Sequence, residues 1–155
     1  MIFEQLILQN WIPYCGRQVI EFATKPKKKI TFIRGNNKGG KTAIMRSIKW
    51  VLYGDTGDQQ EYRKPLKLLN IDAKASNDYA LSVSLIVKKD DDHLKITRRL
   101  IPRQGISNPN DRDFEEQFSI IKNGKAVTTD LDKYVSLLLA EEISGFFLFD
   151  GEKLQ

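Results

Sequence analysis

Only one cysteine, Cys15, and one histidine, His93, occur among the 155 residues. A lone thiol cannot form an internal disulfide, and a lone imidazole without cysteine partners leaves no recognisable structural metal site. Both are read as structural positions. Long apolar runs are lacking as well: no stretch approaches the roughly 20 residues that a membrane-crossing helix needs. The N-terminus alternates apolar and polar residues, unlike a secretory leader. The chain is therefore expected in the cytoplasm, without a membrane partner. Internal repeats and low-complexity tracts are not found either.

What is present is a 41% apolar fraction, enough for a packed core in a chain of this length, so one domain is expected. The formal net charge of +5 suggests an anionic partner and says little about fold. Lys25, Lys27, Lys28 and Lys29 form the densest basic run, with Pro26 inside it. It suits a solvated loop between two strands or a contact with a nucleic-acid backbone.

Hydrophobic periodicity divides the chain. Ile2, Leu6 and Leu8 fall on one face of a strand over residues 2–9, with Phe3 and Ile7 on the other, and residues 17–22 alternate similarly. Pro13 and Gly16 mark the turn between them. Residues 30–33, short, β-branched and apolar, predict a buried strand that runs into a glycine-rich segment. From Thr42 the period changes. Ile44, Ile48, Val51 and Leu52 recur at helical spacing, and Gly54 stands where a helix over residues 41–53 would stop. Residues 55–76 read as an irregular excursion with a brief apolar patch at Leu66, Leu68 and Leu69.

Two hairpins follow. Tyr79, Leu81, Val83, Leu85 and Val87 alternate cleanly, Asp90, Asp91 and Asp92 turn the chain, and Leu94, Ile96, Leu100 and Ile101 continue in a partner strand. After a polar loop over residues 102–113, Phe118, Ile120, Ala126 and Val127 flank Asn123-Gly124, a dipeptide whose residues both accept positive φ. Asp130 can cap a helix containing Tyr134, Leu137 and Leu138, and residues 146–149 predict a last buried strand. The expected fold class is α/β of the mixed α+β kind, a strand-loop-helix unit beside a mostly antiparallel meander.

Gly35-Asn36-Asn37-Lys38-Gly39-Gly40-Lys41-Thr42 matches the P-loop pattern in full, with a predicted strand before it and a helix after it. Glycines at 35, 39 and 40 let the backbone curl so that several N–H groups point inward at a helix N-terminus, a nest for an anion. Lys41 would bridge the β- and γ-phosphates of ATP, and the Thr42 hydroxyl would ligate Mg²⁺. Asn36, Asn37 and Lys38 shape the loop. A second pattern, Phe146-Phe147-Leu148-Phe149-Asp150-Gly151-Glu152, ends an apolar strand in two carboxylates. It resembles a Walker B element, with Asp150 ordering Mg²⁺, except for the inserted Gly151. A capped turn is the alternative, because Asp before Gly commonly starts one.

Taken together, Asn10-Trp11, Val19-Ile20-Glu21-Phe22, Ile33-Arg34-Gly35 and Ile48-Lys49-Trp50-Val51-Leu52-Tyr53-Gly54 resemble the N-terminal ATPase lobe of SMC-like DNA-repair ATPases. The terminal Phe-Leu-Phe-Asp-Gly-Glu stretch brings the likeness nearest to the DndD ATPases of DNA phosphorothioation. The likeness covers nearly the whole chain, although only the P-loop is individually specific. It implies a split head of ABC/SMC type, in which residues 1–155 form the N-terminal lobe and end where a coiled coil would begin. It also implies a C-terminal lobe from the same parent polypeptide, a homodimer around two nucleotides, DNA, and other DNA-modification subunits as partners. Hydrolysis is expected only with the second lobe and dimerisation. By the same resemblance Asp150 takes the place of the Q-loop glutamine near Mg²⁺, with Gln155 as the alternative, and Asn10-Trp11-Ile12 lacks the arginine of many relatives. An ABC-type transporter domain shares the P-loop, but a signature motif and an intact Walker B are missing within the chain. A GTPase should offer Asn-Lys-x-Asp, and none occurs.

Overall fold

The computed structural model describes residues 1–25, 27, 30–35, 40–56 and 64–140. The alternating segments become strands β1 (Ile2–Trp11), β2 (Tyr14–Glu21), β3 (Leu81–Lys89), β4 (Asp92–Pro102), β5 (Phe114–Lys122) and β6 (Lys125–Ala126). They form a six-stranded sheet in the order β2-β1-β3-β4-β5-β6. Every pairing is antiparallel. The expected turn residues make two of the connections: Asp90 (φ 55°) joins β3 to β4, and Asn123 (φ 48°) with Gly124 (φ 80°) joins β5 to β6.

Helix α1 (Lys41–Tyr53) lies on the inner face of this sheet. Its Ile44, Ile48, Val51 and Leu52 are buried with Leu6, Leu8, Val83, Leu85, Ile96 and Ile120 in one core. The expected stop holds: Gly54 adopts φ 73°, and its N–H donates to the Trp50 carbonyl at 2.8 Å.

One inward position of β4 carries a cation in place of an aliphatic. Arg98 is only 4% exposed, with its guanidinium 3.9 Å above the Phe118 ring and ion-paired to Glu116. It also reaches Asp132 at 3.5 Å on α4 (Leu131–Leu138), the helix that Asp130 caps by accepting from the Lys133 N–H at 3.1 Å. A Cβ at Gly54 would come within 3.3 Å of Arg98 Nη1. Arg98 thus ties β4 to β5 and α4 beside the C-terminal end of α1.

Three expectations are corrected. First, Ile2 is exposed while Phe3 packs against the core, because the β1–β3 register shifts between Phe3 and Gln5. Such a bulge exchanges the two faces of a strand. Second, residues 55–76 are not irregular throughout: α2 (Pro65–Leu68) and α3 (Ile71–Ala75) form, the latter capped by Asn70, whose side chain accepts from the Asp72 and Ala73 N–H groups. Third, residues 30–33 join no ladder among the described residues, and Ile30 and Phe32 are 87% and 84% exposed. A strand persists only where its backbone groups find partners, and none of the described strands is paired with this segment. The strand expected over residues 146–149 lies outside the described residues. Among those described, no helix is long and apolar enough to cross a membrane.

Candidate functional site: the N-terminus of helix α1

Gly40 opens α1 with φ 91°, and its carbonyl accepts the first helical hydrogen bond, from the Ile44 N–H at 3.1 Å. No side chain caps this end and no acid occupies the first turn. The N–H groups of a first helical turn have no partner inside the helix. Together with the positive end of the helix dipole they favour an anion. Lys41 and Thr42, both half-buried, stand in that turn. The Lys41 ammonium donates to the Gly35 carbonyl at 2.7 Å, which draws the start of the loop to its end. The structure therefore brings together Gly35, Gly40, Lys41 and Thr42. Asn36, Asn37, Lys38, Gly39 and Asp150 lie outside the described residues.

The donor set has a definite chemistry. Backbone N–H groups and an ammonium suit phosphate oxygens, and a hydroxyl suits a hard cation that those oxygens share. Gly35, Gly40, Lys41 and Thr42 fit a magnesium-bound polyphosphate on that ground.

Sequence reasoning missed what this end of α1 rests on. The turn from β1 to β2, made by Ile12 and Pro13, is pressed against it. A Cβ at Gly40 would lie 2.7 Å from the Tyr14 hydroxyl and 3.0 Å from Pro13 Cγ, which explains why glycine stands there. The Tyr14 hydroxyl donates to the Gly40 carbonyl at 3.2 Å, and burial pushes its ionisation upward, so it stays a donor at neutral pH. Trp11 is wholly buried, its indole N–H donates to the Ala43 carbonyl at 2.9 Å, and its ring lies 5.1 Å from that of Trp50.

The turn is itself fixed from behind by the 64–75 segment. The Ile12 N–H donates to the Leu68 carbonyl at 2.7 Å, the Asn70 amide donates to the Ile12 carbonyl at 2.8 Å, and the Asn70 N–H donates to the Asn10 carbonyl at 2.9 Å. Asn10, at φ 51°, donates through its amide to Asp78 and to the Ala80 carbonyl, and accepts from the Gly16 N–H. The sequence signals for this arrangement were Pro13 and Gly16 between two strands. Nothing in the spacing of the chain placed Trp11 and Tyr14 beside residues 26 or more positions away.

A profile of the AAA domain family (AAA_23) matches residues 5–154. Among solved structures the chain is similar to the SMC head domain from Thermotoga maritima, with a TM-score of 0.51 and 22% identity. The match covers 86% of this chain and 41% of that one, so the chain spans less than half the length of that head. At this identity the likeness is one of fold: an antiparallel sheet packed beside a P-loop helix, as in SMC heads. No curated protein matches the chain.

Proposed function

The chain belongs to the AAA domain family, and from that membership we propose that residues 35–42 bind ATP with Mg²⁺ in the N-terminal lobe of an SMC-like ATPase acting on DNA. The observation that carries this reading is the N-terminus of α1, uncapped and opened by a left-handed glycine with Lys41 and Thr42 in its first turn. Lys41 would set its charge against the β- and γ-phosphates, and Thr42 would offer its hydroxyl to the cation. The cation, when bound, neutralises charge on the phosphate oxygens. Asp150 is proposed as a further group near that cation, on its sequence pattern and the resemblance to the Q-loop.

A second lobe is part of the proposal. Ile30, Phe32 and Ile33 are 87%, 84% and 38% exposed and stand directly before the phosphate loop. Backbone that pairs with none of the described strands and carries uncovered apolar side chains invites a neighbouring strand, and the C-terminal lobe of the same parent polypeptide is the partner that suits it. Positioning and charge stabilisation of phosphoryl transfer then come partly from that lobe and from a second copy. The 155-residue chain is accordingly expected to bind ATP and hydrolyse it poorly, and to gain turnover when the C-terminal lobe is added. A steady-state phosphate-release assay decides this. Sustained hydrolysis by the chain alone, lost in Lys41→Ala, would sink the split-head reading.

For DNA the supporting feature is the outer face of the sheet. Arg17 is level with Gln9, Ser82 and Arg99 across four strands, and Lys95 and Lys88 stand on the same face. None of these four cations has an ion pair among the described residues. Replacing the four by glutamine should weaken DNA binding with little sequence bias. It should also lower the salt slope by about 0.9 for each phosphate that is no longer neutralised. Salt titrations of both proteins measure this, and equal slopes would remove this face from the reading. The run at Lys25, Lys27, Lys28 and Lys29 is a second candidate, of which Lys28 and Lys29 lie outside the described residues. The narrower role in DNA sulfur modification, with its accessory subunits, rests on the likeness of residues 147–152 to DndD.

A further inference from the structure

We propose that Tyr14 is a positioning residue for the phosphate site, acting through the Gly40–Lys41 peptide; this rests on the assignment of residues 35–42 to a polyphosphate. The Gly40 carbonyl accepts two hydrogen bonds, from the Ile44 N–H at 3.1 Å and from the Tyr14 hydroxyl at 3.2 Å. In a planar trans peptide the C=O and the following N–H point in opposite directions. Holding the Gly40 oxygen toward the body of α1 therefore aims the Lys41 N–H out of the helix, at the space the phosphates would fill. Gly40 has no Cβ to restrict it and lies at φ 91°, so its peptide has few other restraints on its tilt. The phenol supplies one.

The turn that presents Tyr14 is pinned on both sides. Ile12, a β-branched residue, is at φ 43° in the turn that presents Pro13 and Tyr14. Such residues rarely adopt this conformation, and it persists only where the surroundings impose it, commonly at functional sites. Here the Leu68 carbonyl, the Asn70 amide and the Asn10 side chain impose it. Trp11, buried under α1 and bonded to the Ala43 carbonyl, already anchors the helix to the sheet. The half-buried Tyr14 hydroxyl adds little to that anchoring; its effect falls on one peptide.

Tyr14→Phe in the 155-residue chain removes the hydroxyl and keeps the ring. Calorimetric titration with three probes tests the proposal: a non-hydrolysable ATP analogue with Mg²⁺, ADP with Mg²⁺, and inorganic tripolyphosphate. Both proteins are compared where urea unfolding shows them fully folded, so that a stability change alone leaves the affinities untouched. The expected result is a common loss of about 3- to 10-fold for all three probes, the scale of one neutral hydrogen bond, with the unfolding midpoint little changed. Unchanged affinities overturn the proposal while leaving the nucleotide site standing, whatever the midpoint does. A loss confined to the two nucleotides, with tripolyphosphate unaffected, also overturns it, because Tyr14 would then touch the nucleoside. If the wild-type chain binds none of the probes, the nucleotide reading fails and takes this inference with it.

Discussion

Lys41→Ala loses about 30- to 150-fold in affinity for a non-hydrolysable ATP analogue with Mg²⁺, since a charge-assisted hydrogen bond in a half-buried site contributes roughly 2–3 kcal/mol and no other cation shares the first turn of α1. The ammonium already reaches back to the Gly35 carbonyl at 2.7 Å, at the start of the phosphate loop. Its three donors allow it to keep that bond while meeting phosphate oxygens. The substitution leaves the helix intact, because alanine is the best helix former. Calorimetry reads the affinity and a urea titration reads the fold. Unchanged affinity in a folded variant would place the nucleotide somewhere other than residues 35–42. Lys41→Arg sharpens the test: it keeps the charge but widens the head group, and a partial loss is expected.

The largest effect on stability is expected at Trp11. Its side chain is wholly buried, lies against Trp50, and donates to the Ala43 carbonyl. Trp11→Ala should cost about 3–5 kcal/mol through lost burial and the cavity left behind. That is a large share of the roughly 5–15 kcal/mol that holds an ordinary domain together. Trp11→Phe retains most of the packing and loses the indole N–H, which leaves the Ala43 carbonyl to its helical hydrogen bond alone and should cost about 0.5–1.5 kcal/mol. Urea midpoints of the two variants measure the contributions separately. A fall of under about 1 kcal/mol for Trp11→Ala would mean that the turn from β1 to β2 does not anchor α1.

Where the signal is local, the sequence was legible. Helix α1 could be read from its period and from Gly54, the β5–β6 turn from Asn123-Gly124, and the start of α4 from Asp130, because caps and tight turns depend on residues within a few positions. Gly35, Gly40, Lys41 and Thr42 were legible for the same reason. The bulge between Phe3 and Gln5 was not, since an extra residue in a strand leaves the alternation on either side intact. Asn10, Trp11, Tyr14 and Asn70 were missed because their partners lie far along the chain, and a composition rich in polar residues disguised α2 and α3 as loop. Arg98 was visible as the odd member of Leu94, Ile96, Arg98 and Leu100, but its partners on β5 and α4 were not. Residues 30–33 carried a true strand pattern and form no ladder within the described residues: pattern reports what a segment is suited to, while pairing requires a neighbour.

That uncovered segment also changes the meaning of the lysines before it. Ile30, Phe32 and Ile33 present apolar side chains to solvent, and a second copy of the chain could pair with them as readily as the intended partner. Lys25, Lys27, Lys28 and Lys29 precede them directly. When two copies approach edge to edge, these charges meet their own likeness and repel, as gatekeeper residues do beside aggregation-prone strands. The basic run would then lower the tendency of two copies to associate through this apolar segment, while leaving the segment open to a partner that does not carry the same charge.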